Sequence, residues 1–430
     1  MNFSNETDGL MKPFIHFFGK CETQKFSKED NKTYNSILIS LYNDIYEANK
    51  TIFKEGCFKS KVITMATDKS SIQEPHDKNT RYFPAHIQKY ITDNSKYQLI
   101  FSCGNVGERE IRIIFTLFSE EELQNIKSYT QYVKMMYIWL HICATYADKH
   151  CTEMLTIFIY PTHFTKTLPT SPATVIGPEH INTAFTKPCV KNGQIIIYRN
   201  EEWFKVFIHE TFHTYGLDFA TYNNDDLKKV VQSIFPINSD FNIYEAYTET
   251  WARIINCAFC SFTSITTKNT KKEFIDNMKF CLEMERMFSL YQCIKILGFM
   301  GLDYNDVYVA KPNQFSSKNT YLSNLYKENT NVFAYYIMTA VFLNDQQGFM
   351  IWCKKNNTSL LKFRNEHEHE NEHDVNKSIS SFSDYIKSVY NCVSLLNNIG
   401  HMKELNKKMT KQKTNDKINY STRMSIIHTI

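Results

Sequence analysis

Two histidines four residues apart constrain this chain more than any other feature of it. In Val206-Phe207-Ile208-His209-Glu210-Thr211-Phe212-His213, only a helix puts both imidazoles on one side, one turn apart, where they can share a metal ion. Glu210 then stands beside that shared point and outside the same coordination shell, where a general base acting on water has to be. The alternative is a pair of ordinary helix histidines, one satisfied in a core, with Glu210 in solvent. The rest of the chain has to discriminate between these readings.

A third ligand follows at a workable distance. From Ile243 to Ala252 and beyond, apolar or aromatic residues at 244, 247, 251, 254 and 258 form a helical stripe, while Glu245, Glu249, Ala252 and Asn256 share another face. A second helix crossing the first could aim Glu245 at the metal as a hard oxygen ligand. Glu249, one turn on, could accept the free ring N–H of a ligating histidine and fix its tautomer. The small Ala252 would permit close approach. The plain alternative is an acidic pair on a wet surface.

With these residues in view, the chain resembles the zincin metallopeptidases, and within them the gluzincins, whose third zinc ligand is a glutamate on a later helix. Gluzincins carry a glutamate followed four residues on by an acid, often ending in an aromatic and an alanine; Glu245, Glu249, Trp251 and Ala252 fit that pattern. The metzincin branch would place a third histidine at 219, which here is Phe219, and only Gly216 agrees with it. Asp218 reads as a helix-exit residue after Gly216. The resemblance implies a peptidase holding Zn2+ through His209, His213 and Glu245, with Glu210 as base and proton shuttle. It also implies a Tyr, His or Arg from a later helix against the developing oxyanion; Tyr335 and Tyr336 are the candidates, although either ring can equally be core. The HExxH metallopeptidases of large DNA viruses are similar in the active-site stretch and in composition.

The elements before the motif support the same plan. Tyr97 to Ser102 and Ile111 to Phe118 read as strands joined by a short turn containing glycine. A capping box of Ser119 and Glu122 opens a helix whose apolar spacing runs to about residue 147. Leu155 to Tyr160 is a strand closed by Pro161, and Gln194 to Tyr198 is another leading into the histidine helix. The run Ile181 to Thr186 resembles the edge strand of a thermolysin-type cleft, which implies that Asn182, Thr183, Ala184 and Phe185 bind an extended peptide by strand addition; an ordinary loop is the alternative. Helices are expected over 33–50, 84–92, 272–297 and 321–343.

Composition excludes several classes. With 430 residues, 43% of them hydrophobic and 14% aromatic, the chain can build two or three domains with sizeable cores and is not a disordered protein. No apolar run is long enough to span a membrane, and the N-terminus lacks the basic-then-apolar plan of a signal peptide, so an intracellular (cytoplasmic) or virion-internal protein is expected. Twelve cysteines scattered through apolar runs then read as reduced core thiols, with Cys257 and Cys260 packed inside one helix. A net charge of +4 without an aromatic reader module gives no reason to expect nucleic acid as a partner. The tract Glu366 to Asp374 alternates His with acids and reads as a flexible linker. The Lys-, Asn- and Thr-rich stretch from Lys403 to Ile430 reads as a disordered arm with a short apolar docking end for an assembly partner.

The expected fold is α+β, with a zincin-like catalytic domain (a mixed sheet with an edge strand, plus the active-site helix) followed by a helical lower subdomain. Its expected divisions are an N-terminal region without assigned chemistry (1–95), an upper subdomain (96–220), a helical lower subdomain with the third ligand (221–360), a linker (361–376) and a helix with a basic tail (377–430). The expected activity is zinc-dependent hydrolysis of peptide bonds in a peptide or protein substrate. The rival expectation is a catalytically silent structural or virion-associated protein on the same fold. Retention of Glu210 favours the enzyme, because a purely structural site gains nothing from a base beside an open coordination position.

Overall fold

The near-continuous apolar runs Ile111 to Leu117, Leu155 to Tyr160 and Ile195 to Tyr198 are what strands buried on both faces require, and they form the centre of one mixed sheet. The computed structural model describes residues 3–55, 58–78, 80–266, 270–311, 317–363, 372–412 and 416–428. The fold is α+β. Its strands are β1 (Phe58–Thr64), β2 (Tyr97–Val106), β3 (Arg109–Leu117), β4 (Met154–Ile159), β5 (Ala184–Thr186) and β6 (Asn192–Ile197), in the spatial order β1-β2-β3-β4-β6-β5. The β1/β2, β2/β3 and β5/β6 pairs are antiparallel, and β3/β4 and β4/β6 are parallel.

The chain divides into two compact units: Met1–Ile39 with Thr167–Ile181 and Tyr222–Thr429, and Ser40–Lys166 with Asn182–Thr221. Residues 1–39 belong to the first of these units and 40–95 to the second. The second unit holds the sheet. One face is sealed by Phe83, Ile87 and Ile91 packed on Ile100, Ile114, Phe158, Ile196 and Tyr198. Ile113, Ile157, Ile195 and Ile197, at alternate positions, are buried on the other face, and the helices Ile126–Tyr146 and Trp203–Thr214 pack against the sheet.

The first unit is mainly helical. Ile243–Thr263 and Thr270–Phe299 pack together, joined by Thr339–Asn344 and Val393–Gln412. Its C-terminal stretch corrects the expectation of a disordered arm. Residues 422–427 are buried, and Glu285 accepts hydrogen bonds from the backbone N–H groups of Ile426 (3.0 Å) and Ile427 (2.9 Å). The apolar stretch packs on its own unit because Met424, Ile426 and Ile427 find a core there.

Other expectations change as well. The helix expected from Ser119 breaks at Asn125 into Glu120–Gln124, which buries nothing, and Ile126–Tyr146, which carries the buried stripe. Glu122 does cap, but its carboxylate accepts from the N–H of Phe118 (2.6 Å), while Ser119 Oγ accepts from the N–H of Glu122 (3.2 Å). The helix expected over 321–343 is interrupted: Ser317–Leu325 ends, and a wide π turn over Phe333–Met338 leads into the next α segment. Cys151 and Cys189 form a disulfide, so not all thiols are reduced. Their separation of 38 residues hides that proximity from the sequence. Cys257 and Cys260 are buried in one helix. Of the His-rich tract, 366–371 lie outside the described residues, and a helix starts at Glu372. Among the described residues no helix is long and apolar enough to cross a membrane.

Candidate metal centre

The helix Trp203–Thr214 follows β6 after a five-residue turn and is buried at every position, so its hydrophobic run Trp203 to Ile208 seats it firmly against the sheet. Glu202 precedes it with φ 60°, and its carboxylate pairs with the buried Lys166 ammonium. Burial pulls the Lys166 pKa down, against the opposing pull of Glu202. Further along, Trp139 Nε1 donates to Thr211 Oγ1 at 2.5 Å, and Thr214 Oγ1 donates to the carbonyl of Glu210 at 3.1 Å. The Trp139 bond, which comes from another helix, ties this face of the helix to its neighbour.

The helical spacing does what the sequence requires of it. His209 Nε2 and His213 Nε2 face each other at 3.2 Å, and both rings are buried, as is Glu210 between them. Two nitrogens bound to one tetrahedral zinc at about 2.0–2.1 Å lie about 3.3 Å apart, so the spacing fits a shared ion. The donor chemistry fits too. His213 Nδ1 is hydrogen-bonded to the Asp218 carboxylate. An acceptor at that nitrogen keeps the proton there and leaves the Nε2 lone pair facing the shared point.

Asp218 is the residue that sequence reasoning missed, having read it only as an exit from the helix. Gly216 (φ 60°) turns the chain back, and Leu217 N–H caps the Phe212 carbonyl at 2.9 Å, which brings the next side chain under the ring of His213. An acid two residues after a C-terminal glycine was the available signal. Glu249, expected in that part, is buried, and its carboxylate accepts from Arg253 Nε at 2.9 Å.

Glu245 sits in the first turn of Ile243–Thr263, partly exposed. Its two oxygens accept from Tyr335 Oη (3.0 Å) and Asn331 Nδ2 (3.4 Å), which hold the carboxylate in one orientation. Tyr335 thus touches a candidate ligand directly. The Tyr336 hydroxyl donates to the Thr422 carbonyl and anchors the C-terminal stretch. Both tyrosines lie in the π turn, and as sequence neighbours on a helix their rings point in different directions.

The edge strand is present but shorter than expected. Ile181 ends a helical turn (Pro178–Ile181), and β5 begins only at Ala184. The carbonyls of Asn182 and Thr183 are engaged by Arg199 Nε (3.0 Å) and by the N–H of Tyr198 (3.0 Å). Ala184 to Thr186 pair with β6 alone, so β5 closes the sheet order, and it packs on the histidine helix.

Comparison of the chain with family models, curated proteins and solved structures finds no match in any of the three. The reading of the site therefore rests on its own chemistry.

Proposed function

We propose that the chain is a metal-dependent peptidase of gluzincin type, in which His209 and His213 bind Zn2+ and Glu245 is the third ligand that the sequence pattern implies. The observation that carries this is the pair of buried ring nitrogens turned toward each other, with Asp218 fixing the tautomer of one and Glu210 between them. The order β2, β3, helix, β4, β5, β6, histidine helix in the sheet unit suits a zincin-like upper subdomain.

When bound, such an ion supplies Lewis acidity, lowering the pKa of water to about 7 and polarising a carbonyl. The other steps belong to side chains. Glu210 takes a proton from the attacking water and passes it to the leaving amine nitrogen as the C–N bond breaks, so the carboxylate is regenerated each turnover. Asp218 holds the His213 ring, and Tyr335 with Asn331 holds the Glu245 carboxylate, so the donors are pre-oriented. The outer edge of β5 offers backbone groups to an extended peptide, which would add as a further strand.

The test separates binding from chemistry. Glu210→Gln should keep the metal stoichiometry of the wild type while hydrolysis of a mixed peptide library falls about 10²-fold or more. His213→Ala should lose metal and hydrolysis together. Wild-type turnover by Glu210→Gln would remove Glu210 as the base, and a metal-loaded wild type that hydrolyses none of the library would leave a catalytically silent protein.

A further inference from the structure

We propose that His150, Cys151 and Cys189 form a redox-gated second metal site: a disulfide when oxidised, and a two-thiolate, one-imidazole site for a soft divalent ion such as zinc when reduced. One ligand atom from each of the three lies within 4.8 Å of the others. Two sulfurs and an imidazole nitrogen are the donor set that zinc prefers, with about 2.3 Å bonds to sulfur and about 2.0–2.1 Å to nitrogen.

The cluster is built so that the sulfurs stay together after the bond between them opens. The Thr152 N–H donates to the Val190 carbonyl at 3.0 Å, and the Cys189 N–H donates to the His213 carbonyl at 3.0 Å. Arg109, itself buried, reaches the carbonyls of Cys151 (3.2 Å) and Asp148 (2.6 Å). Hydrogen bonds thus tie both loops in place alongside the disulfide. The buried Cys151 is the fixed partner; Cys189 is partly exposed and His150 exposed, so an incoming thiolate or ion can reach them and both can turn. Gly216 completes the packing, since a Cβ there would lie 3.1 Å from Cys151 Sγ.

The exchange balances with a dithiol as reductant. Its two thiols give two electrons and two protons to the protein disulfide and leave as a cyclic disulfide; the two protein thiols then release two protons on binding the ion. In either state Cys151 is linked to Cys189, and Cys189 to the carbonyl of His213. The site is independent of the peptidase reading, because the histidine pair contributes no sulfur.

Cobalt(II) added to the full chain, in a His213→Ala background, reads the site directly. After treatment with dithiothreitol and its anaerobic removal, two further thiols should titrate, and one equivalent of cobalt should bind with a thiolate-to-cobalt charge-transfer band. The oxidised protein and Cys189→Ser should lack that band. His150→Ala, at an exposed position where folding is not at risk, should weaken cobalt binding about 10-fold or more. A reduced protein without the band, or a band that survives Cys189→Ser, would overturn the proposal. If no further thiols appear because the pair is already reduced, the same cobalt titration of the untreated protein decides, with the band expected there.

Discussion

A ring nitrogen is only as good a ligand as its tautomer allows, and at His213 the Asp218 carboxylate sets the tautomer through Nδ1. Asn in place of Asp218 keeps an acceptor oxygen but loses the charge, and its amide can turn a donor toward the ring instead. Asp218→Asn should therefore weaken zinc binding about 10–100-fold, measured by competition with a chelator. Unchanged affinity would take Asp218 out of the assignment. At the same scale, Arg253, one turn on from Glu249, lies on the same face and donates to one oxygen of its buried carboxylate, which orients that acid.

Among the elements, those that the sequence marks clearly share one property, burial on both faces. β3, β4 and β6 are apolar at successive positions because helices or loops cover each side, and a run of that kind survives any detail of packing. β1 was not visible. Its sequence Phe58-Lys59-Ser60-Lys61-Val62-Ile63-Thr64 places only Ile63 in the core among its described side chains, as suits an edge strand guarded by lysines. Ile157 in β4 is fully buried between β3 and β6. Ile157→Ala should cost about 2–5 kcal/mol in denaturant unfolding; a loss under about 0.5 kcal/mol would mean that this strand is not central to the core.

Across the whole molecule, stability should depend on pH through a half-buried carboxylate far from the candidate ligands in sequence. Burial pushes Glu328 up to about 7 from 4.5, against hydrogen bonds from Ser239, Tyr326 Oη and the Phe333 N–H. A carboxyl raised in the folded state contributes stability that is fully present below the unfolded value near 4.5 and is lost as pH rises toward 7. The span corresponds to roughly 3 kcal/mol. Glu328→Gln should flatten the fall in unfolding free energy across that window, as read by urea titrations at pH 4.5 and 8; an unchanged slope would place Glu328 in water. Glu6 works in the opposite sense. His428 and Arg423 hold it down at about 2, so its contribution is present above 4.5 and is lost as pH falls toward 2.

The sequence by itself determined what depends on spacing along one element: the shared side of His209 and His213, the buried strands, and the α+β class. Periodicity fixes direction within a helix or strand whatever the rest of the chain does. Only the tertiary structure decided which group each side chain meets when that group comes from elsewhere. Asp218 returns under His213 through one left-handed glycine. Tyr335 and Tyr336 part company in a π turn, one to Glu245 and the other to Thr422. Cys151 finds Cys189 across 38 residues, and the C-terminal stretch finds Glu285. Each of these partnerships is set by how loops close, and loop closure depends on the packing of the elements they join, which no local pattern of residues encodes.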